Sequence, residues 1–338
     1  MGGKRYKRTV AFSKNSTNLF FHILTKCNLS CKHCYINPKQ HGYETLDIYH
    51  IKAWLDIFAQ KAKKTNLIIL GGEPTLHPEL AETIWHAKTV GYKSVTIDTN
   101  GYFFNSIISR VTPNDLDYFS FSLDGATRKI NDTIRGKGSY DKCVSALKKS
   151  VQEGFGTSLI YTVNTLNIDE LDMMVPLVKD LKIHRFFIQI LGIRGRSAKS
   201  IQKGASEKLN QVSPSRWMEI VPKVAEKLAN LGVKVTYPKV FLSPKEPFEC
   251  AGLVADNYFI FPNGRVYRCP LCEDFPLNSQ EIHKNRLIHR PKINEQDLFN
   301  LNIPEGCVMN KLIQPCNITY NKDGKPEYKI ACCLLKEE

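Results

Sequence analysis

The chain has 338 residues, of which 42% are hydrophobic and 24% charged, enough to bury a core as one large domain or as one domain with a substantial appendage. With 20 Gly and 17 Pro spread along it, neither a disordered nor a fibrous chain fits. The formal charge of +14, from 47 Lys and Arg against 33 Asp and Glu, and the 11 cysteines are both unusual. No apolar run approaches the roughly 20 residues of a membrane helix, and the basic start, 1–8, has no apolar stretch after it of the kind an export signal carries. The expectation is a soluble, cytoplasmic protein whose thiols serve metal or redox chemistry, because secreted disulfide scaffolds are short and this one would leave an odd thiol.

Along the chain, residues 1–18 read as an N-terminal extension, and short β-rich runs then alternate with amphipathic helical patterns. Strands are predicted at 19–25, 67–70, 94–98, 118–123, 158–163 and 186–190, and helices at 46–63, 78–90, 140–153 and 169–181. Links of helical length force parallel pairing and right-handed crossovers. The fold class is therefore α/β, a wound sheet or an open barrel with its ligands at the carboxyl ends of the strands. Cys143 lies on the same side of its predicted helix as Leu147 and Val151 and reads as a small core residue. From about residue 192 the character changes. A stretch at 194–215 rich in Arg, Lys, Ser and Gly precedes a helix at about 216–231, so 194–240 reads as linker and helix. A boundary near 240 opens a cysteine-bearing region, 241–338, in which Asn263-Gly264 marks a two-residue hairpin turn.

The loop after the first strand carries Cys27, Cys31 and Cys34, a C-x3-C-x2-C spacing followed by Tyr35. Three thiolates on one short loop can hold three irons of a four-iron cubane and leave the fourth open to an exchangeable ligand. The alternative is a zinc site completed by His33 or a distant group. Spacing leaves the two comparable, and position at the mouth of an α/β sheet favours the cluster. Successive strand ends carry Gly71-Gly72-Glu73-Pro74, then Thr99-Asn100-Gly101, then Ser122 and Asp124-Gly125, with Arg135 beyond. Paired glycines let the backbone approach a ligand closely, and Glu73 could accept from an ammonium group. Asp124 and Ser122 suit ribose hydroxyls, and the planar fork of Arg135 suits a carboxylate.

On these residues the sequence resembles the radical S-adenosylmethionine enzymes, over roughly 19–272. The resemblance implies a partial (β/α)6 parallel barrel as the core, 19–193. It also implies a [4Fe-4S] cluster on Cys27, Cys31 and Cys34 with an open iron that binds the amino and carboxylate groups of S-adenosylmethionine. Cofactor contacts would then come from Tyr35, Gly71, Gly72, Glu73, Pro74, Thr99, Asn100, Ser122, Asp124, Arg135, Asn164 and Leu191. Cys250 followed by Gly264-x4-Cys269 and Cys272 is similar to the opening of the SPASM and Twitch auxiliary-cluster domains of that family. The later spacing, Cys307-x8-Cys316 and then adjacent Cys332 and Cys333, departs from the full pattern. The expectation is one auxiliary iron–sulfur cluster on Cys250, Cys269 and Cys272 with Cys316 or Cys307 as fourth ligand, and a zinc-ribbon-like site as the alternative.

Basic residues cluster at 4–8, at 179–203 and at 284–292, a field that attracts acidic partners or solubilises a surface. If Arg194 and Arg196 face the barrel mouth, they favour a phosphorylated or carboxylated substrate. No nucleic-acid motif accompanies the charge. By resemblance, the chain is an enzyme that reductively cleaves S-adenosylmethionine to a 5′-deoxyadenosyl radical, takes hydrogen from a substrate, and draws its electron from a donor such as flavodoxin or ferredoxin. A peptide substrate leads, because this branch is rich in peptide maturases, although only about 18 residues precede the first strand and none read as a leader-binding domain. An anionic metabolite such as a nucleotide, sugar phosphate or cofactor precursor is the alternative. The Gly-Gly ending of the molybdenum-cofactor cyclase is missing, so that activity is not assigned. A zinc-bearing nucleic-acid-binding protein is the rival from another class.

Overall fold

A computed structural model describes residues 9–10, 16–198 and 209–338; the predicted basic start at 4–8 and Lys199 and Lys203 lie outside these. The core strands are β1 (Thr17–His22), β2 (Thr65–Leu70), β3 (Ser94–Thr99), β4 (Tyr118–Ser122), β5 (Thr157–Val163) and β6 (Arg185–Ile190). Each pairs in parallel with the next, in chain order. Consecutive order without a switch is the mark of a barrel rather than a doubly wound sheet, and β1 and β6 do not pair, so the barrel is open. Two later strands extend it. Lys234–Pro238 (β7) adds in parallel beside β6, and Asp256–Ile260 (β8) adds in parallel beside β1. From β8 an antiparallel meander runs through Arg265–Tyr267 (β9), Gln280–His283 (β10) and Arg286–His289 (β11). The cysteine-bearing region is thus hydrogen-bonded into the core sheet.

The period of two along each strand decides which residues face the helices. Leu19, Phe21, Leu67, Ile69, Val95, Ile97, Phe119 and Phe121 are wholly buried on the outer face. They pack in one core with Ile48–Ile57 (α1), Leu80–Val90 (α2), Ser139–Gln152 (α4), Met174–Asp180 (α5) and Pro214–Asn230 (α6), whereas Arg128–Arg135 (α3) places Ile134 in a separate cluster with Leu191 and Leu209. Each such side chain contributes about 1.5–3 kcal/mol by leaving water. Asp47, Thr127 and Ser213 cap the starts of α1, α3 and α6 by accepting backbone N–H bonds. Cys143 is buried in this core. The lumen face is polar at its floor. There Ser94 Oγ donates to Asn66, Asn66 Nδ2 to Asn18, and Asn18 Nδ2 to Asn257 of β8, a ladder that ties the appended strand to the barrel.

Three local predictions are corrected. The helix predicted at 46–63 ends as α1 at Ile57 and continues as a 3-10 turn, Ala59–Lys64. The helix predicted at 169–181 is a 3-10 turn, Ile168–Glu170, followed by α5; Pro176 sits in α5's first turn, where its missing N–H costs nothing, and would break a longer helix. The hairpin turn is not the two-residue Asn263-Gly264 type. Gly264 N–H closes onto Phe261 O at 2.9 Å, Pro262 and Asn263 are the central residues, and Gly264 follows at φ 82° as the left-handed residue of a bulge. Among the described residues no helix is long and apolar enough to cross a membrane.

Candidate metal-cluster site at the barrel mouth

Cys27, Cys31 and Cys34 lie on the loop leaving β1, at the carboxyl end of the barrel. The Gly71-Gly72-Glu73 strand end is seated on this loop rather than held away from it. Gly72 N–H donates to Leu24 O and Glu73 N–H to Lys26 O. A Cβ on Gly72 would lie 2.3 Å from Lys26 O, and one on Gly71 2.7 Å from Leu24 O. The glycines therefore serve backbone-to-backbone contact between strand end and thiol loop. Glu73, buried, accepts from Thr75 N–H and Oγ, from Thr99 Oγ at 2.7 Å and from Asn100 N–H at 2.7 Å. Burial pushes its carboxyl up, against those four donors. Pro74 opens the short 3-10 turn behind it. Asn100 in turn points its amide at Asn28 Oδ1 (3.0 Å) and Cys27 Sγ (3.8 Å).

A second group faces Cys31. Asp124 is buried: Oδ1 accepts from Thr162 N–H at 2.6 Å, while Oδ2 lies 2.6 Å from Arg135 Nε and 3.1 Å from His33 Nε2. Burial works to raise this carboxyl, but the Arg135 guanidinium and His33 hold it down at about 2. The ribose role read for Asp124 thus has little carboxylate left to serve it. His33, the fourth ligand of the zinc alternative, is turned onto Asp124. Asn164 is also consumed locally, its side chain bonded to Thr162 O and Leu166 N–H, and Leu191 packs with Ile134 and Leu209. Ser122 lies on the lumen face at the end of β4.

A third group joins the thiol loop to the cysteine-bearing region. Tyr35 Oη lies 2.6 Å from His22 Nε2, and His22 Nδ1 meets Ile260 O at 3.0 Å. Nδ1 must donate to that carbonyl, so Nε2 accepts from Tyr35. Burial pushes His22 down to about 3, which keeps it neutral. Arg194 stacks its guanidinium 4.6 Å from the Tyr35 ring centre and pairs with Glu273. Arg196 donates to Cys31 O. Arg194 is thus engaged within the protein, whereas Arg196 is exposed.

Beyond the barrel, Cys250, Cys269, Cys307, Cys332 and Cys333 line one cavity walled by Leu271, Phe299 and Met309, and Cys272 is hydrogen-bonded to Cys269. Burial pushes the Cys250 thiol up to about 12 and that of Cys307 higher, so these thiols stay protonated until a cation offsets the charge. Glu295 anchors the cysteine loop by accepting from the N–H groups of Arg268 (2.7 Å) and Cys269 (3.0 Å) and from Ser279 Oγ. Cys316 is exposed and outside this group. Among the described residues no three His, Cys, Asp or Glu side chains converge closely enough to hold a single metal ion. The donor sets fit clusters better: three thiols with N–H donors on the sulfur of Cys27, and sheltered thiols around an apolar cavity. Sequence reasoning missed His22, Asp98, Glu273 and Glu295. The parity of β3 would have put Asp98 on the lumen face; nothing local marks the others.

A thiol-bearing loop docked on the mouth of an open parallel barrel is a candidate metal-cluster site. The family model of the radical SAM superfamily matches residues 22–178, and over that span the chain is similar to this superfamily. It is 30% identical over 220 residues, 64% of this chain, to the Fe-coproporphyrin III synthase of Methanosarcina barkeri, and 31% identical over 161 residues, 47% of this chain, to the mycofactocin maturase MftC of Mycobacterium tuberculosis. It spans 54% and 41% of those two proteins. The crystal structure of Streptococcus suis SuiB shares the fold, with a TM-score of 0.63 over 91% of this chain and 69% of SuiB at 13% identity.

Proposed function

We propose that this chain is a radical S-adenosylmethionine enzyme that modifies a peptide, with Cys27, Cys31 and Cys34 holding the catalytic [4Fe-4S] cluster. The observation that carries it is the seating of the Gly71-Gly72-Glu73 strand end on the three-thiol loop at the carboxyl end of the barrel. When bound, the cluster and S-adenosylmethionine supply one-electron cleavage of the sulfonium to methionine and a 5′-deoxyadenosyl radical, which removes hydrogen from substrate. The chain's own residues hold and orient. Asn100 and Leu29 direct N–H groups at Cys27, and Glu73 fixes Asn100. Arg135, Asp124 and His33 brace the Cys31 side. Gly71, Gly72, Thr99 and Ser122 stand at the strand ends beside the thiol loop, while Tyr35, Asn164 and Leu191 are engaged in protein contacts.

Cys250, Cys269, Cys272 and Cys307 are proposed as ligands of one auxiliary cluster, with Cys332 and Cys333 on the same cavity and Cys316 apart. The peptide reading draws support from similarity to a named maturase and from the fold of SuiB, which has been solved bound to its precursor peptide SuiA. The alternative, a small metabolite, draws on the similarity to Fe-coproporphyrin III synthase. The engagement of Arg194 in protein contacts counts against its receiving an anionic one. The electron would come from a donor such as flavodoxin or ferredoxin.

The test is anaerobic reconstitution followed by reduction with S-adenosylmethionine and assay of 5′-deoxyadenosine. About eight irons per chain are expected for two four-iron clusters, with cleavage lost in Cys31→Ala. Zinc in place of iron, or undiminished 5′-deoxyadenosine from the variant, would overturn the reading.

A further inference from the structure

The two cysteine groups are far apart in sequence, yet the loops that carry them meet at one junction, where a single side chain touches both. Arg194, in the loop after β6, is largely buried. Its guanidinium stacks over Tyr35, next to Cys34, and donates to both the Glu273 carboxylate and Pro270 O, which flank Cys272. The neighbouring backbone reinforces the junction. Gly195 N–H donates to Asp274 at 2.7 Å and Arg196 N–H to Cys34 O at 2.8 Å. Gly195 has φ 58°, and a Cβ there would lie 2.5 Å from Tyr35 O. On the far side, Asn37 donates to Asp274, and His41 meets Glu273 O while stacking on Phe261.

We propose that Arg194 is a positioning residue that clamps the Cys27–Cys34 loop to the Cys269–Cys272 loop and so fixes the separation of the two thiol groups. The side chain suits this role because one guanidinium nitrogen, Nη1, bonds both acceptors while the planar face lies on an aromatic ring, a flat stacking that lysine cannot make. A buried ion pair that also stacks constrains geometry more than it adds stability. The consequence is linkage: ordering one loop orders the other, so loading either thiol group biases the other through this contact. That last step rests on the proposed clusters, whereas the clamp rests on the polypeptide alone.

The test is amide hydrogen exchange on the reconstituted chain, comparing wild type with Arg194→Met, Arg194→Lys and Glu273→Gln. Arg194→Met should exchange roughly tenfold faster at Gly195, Arg196 and Cys272, with β4 and β5 unchanged. Arg194→Lys should restore part of the protection, since it keeps the charge. Glu273→Gln should move the same amides in the same direction, and it stands in should Arg194→Met fail to fold. In parallel, the dipolar interaction between the reduced clusters, read by electron paramagnetic resonance, should broaden in Arg194→Met. Wild-type exchange in these loops, or uniform acceleration that includes β4 and β5, would overturn the clamp. An iron count short of two clusters removes the spectroscopic arm and the linkage but leaves the exchange result to decide the clamp.

Discussion

Arg135 Nε lies 2.6 Å from Oδ2 of Asp124, and both side chains are buried beneath Cys31. The pair is the hub of the barrel's upper wall: Asp124 also takes Thr162 N–H and faces His33, and Asn131 accepts the Asp124 N–H. A buried pair adds little net stability, but breaking one is costly because the remaining charge stays desolvated.

Asp124→Asn should therefore destabilise the chain by about 3–5 kcal/mol, measured by urea denaturation. The acid limb carries a further signature. The folded carboxyl sits near 2 against an ordinary 3.8, so its contribution is present above pH 3.8 and lost as pH falls through 2. The variant should lack that component, and a wild-type and variant difference that stays constant from pH 5 to 2 would refute this account.

Gly72→Ala should destabilise by about 1–3 kcal/mol through overpacking, since its Cβ would sit 2.3 Å from the backbone oxygen of Lys26. Iron retention at the Cys27 loop should fall with it, because the strand end and the thiol loop share that contact. Full iron content with unchanged melting would show that the loop gives way freely.

The auxiliary thiols divide by position. Cys316→Ser should keep the iron content of wild type, because that thiol is exposed and away from the cavity. Cys307→Ser should lose about one cluster's worth, roughly four irons. The reverse pattern would place Cys316 in the ligand set.

The barrel was legible because its signals are local. Six apolar runs with period two, each ending in a glycine or a polar turn, fix strands and their order through crossover rules. Strand ends shifted by only one to three residues, as the predicted 19–25 became Thr17–His22. What the sequence could not reveal were relations across the chain. Nothing near Asp256 indicates that its strand lies beside β1, since that pairing depends on Phe20 stacking on Phe259 and on the asparagine ladder. Likewise Arg194 read as a candidate contact for an anionic substrate, and only its contacts with Tyr35 and Glu273 reveal the junction it makes. The paired glycines read as a place where backbone meets a ligand, and the contact they make is with the backbone of Leu24 and Lys26.

Asp98 offers the last prediction. It stands on the lumen face of β3, opposite Ser120 of β4, and is partly reached by solvent. Burial pushes its carboxyl up to about 7, against a hydrogen bond from Ser120. A folded value above the ordinary 3.8 means that the native state binds a proton the unfolded chain has lost. Its contribution is therefore full below pH 3.8 and is lost as pH rises through about 7. The loss amounts to about 2 kcal/mol once screening by lumen water is allowed for. Asp98→Asn, which cannot ionise, should gain stability relative to wild type as pH rises from 4 to 8, read as diverging urea midpoints at constant ionic strength. Parallel midpoints across that range would mean that Asp98 is ionised throughout and that the lumen is wetter than its walls imply.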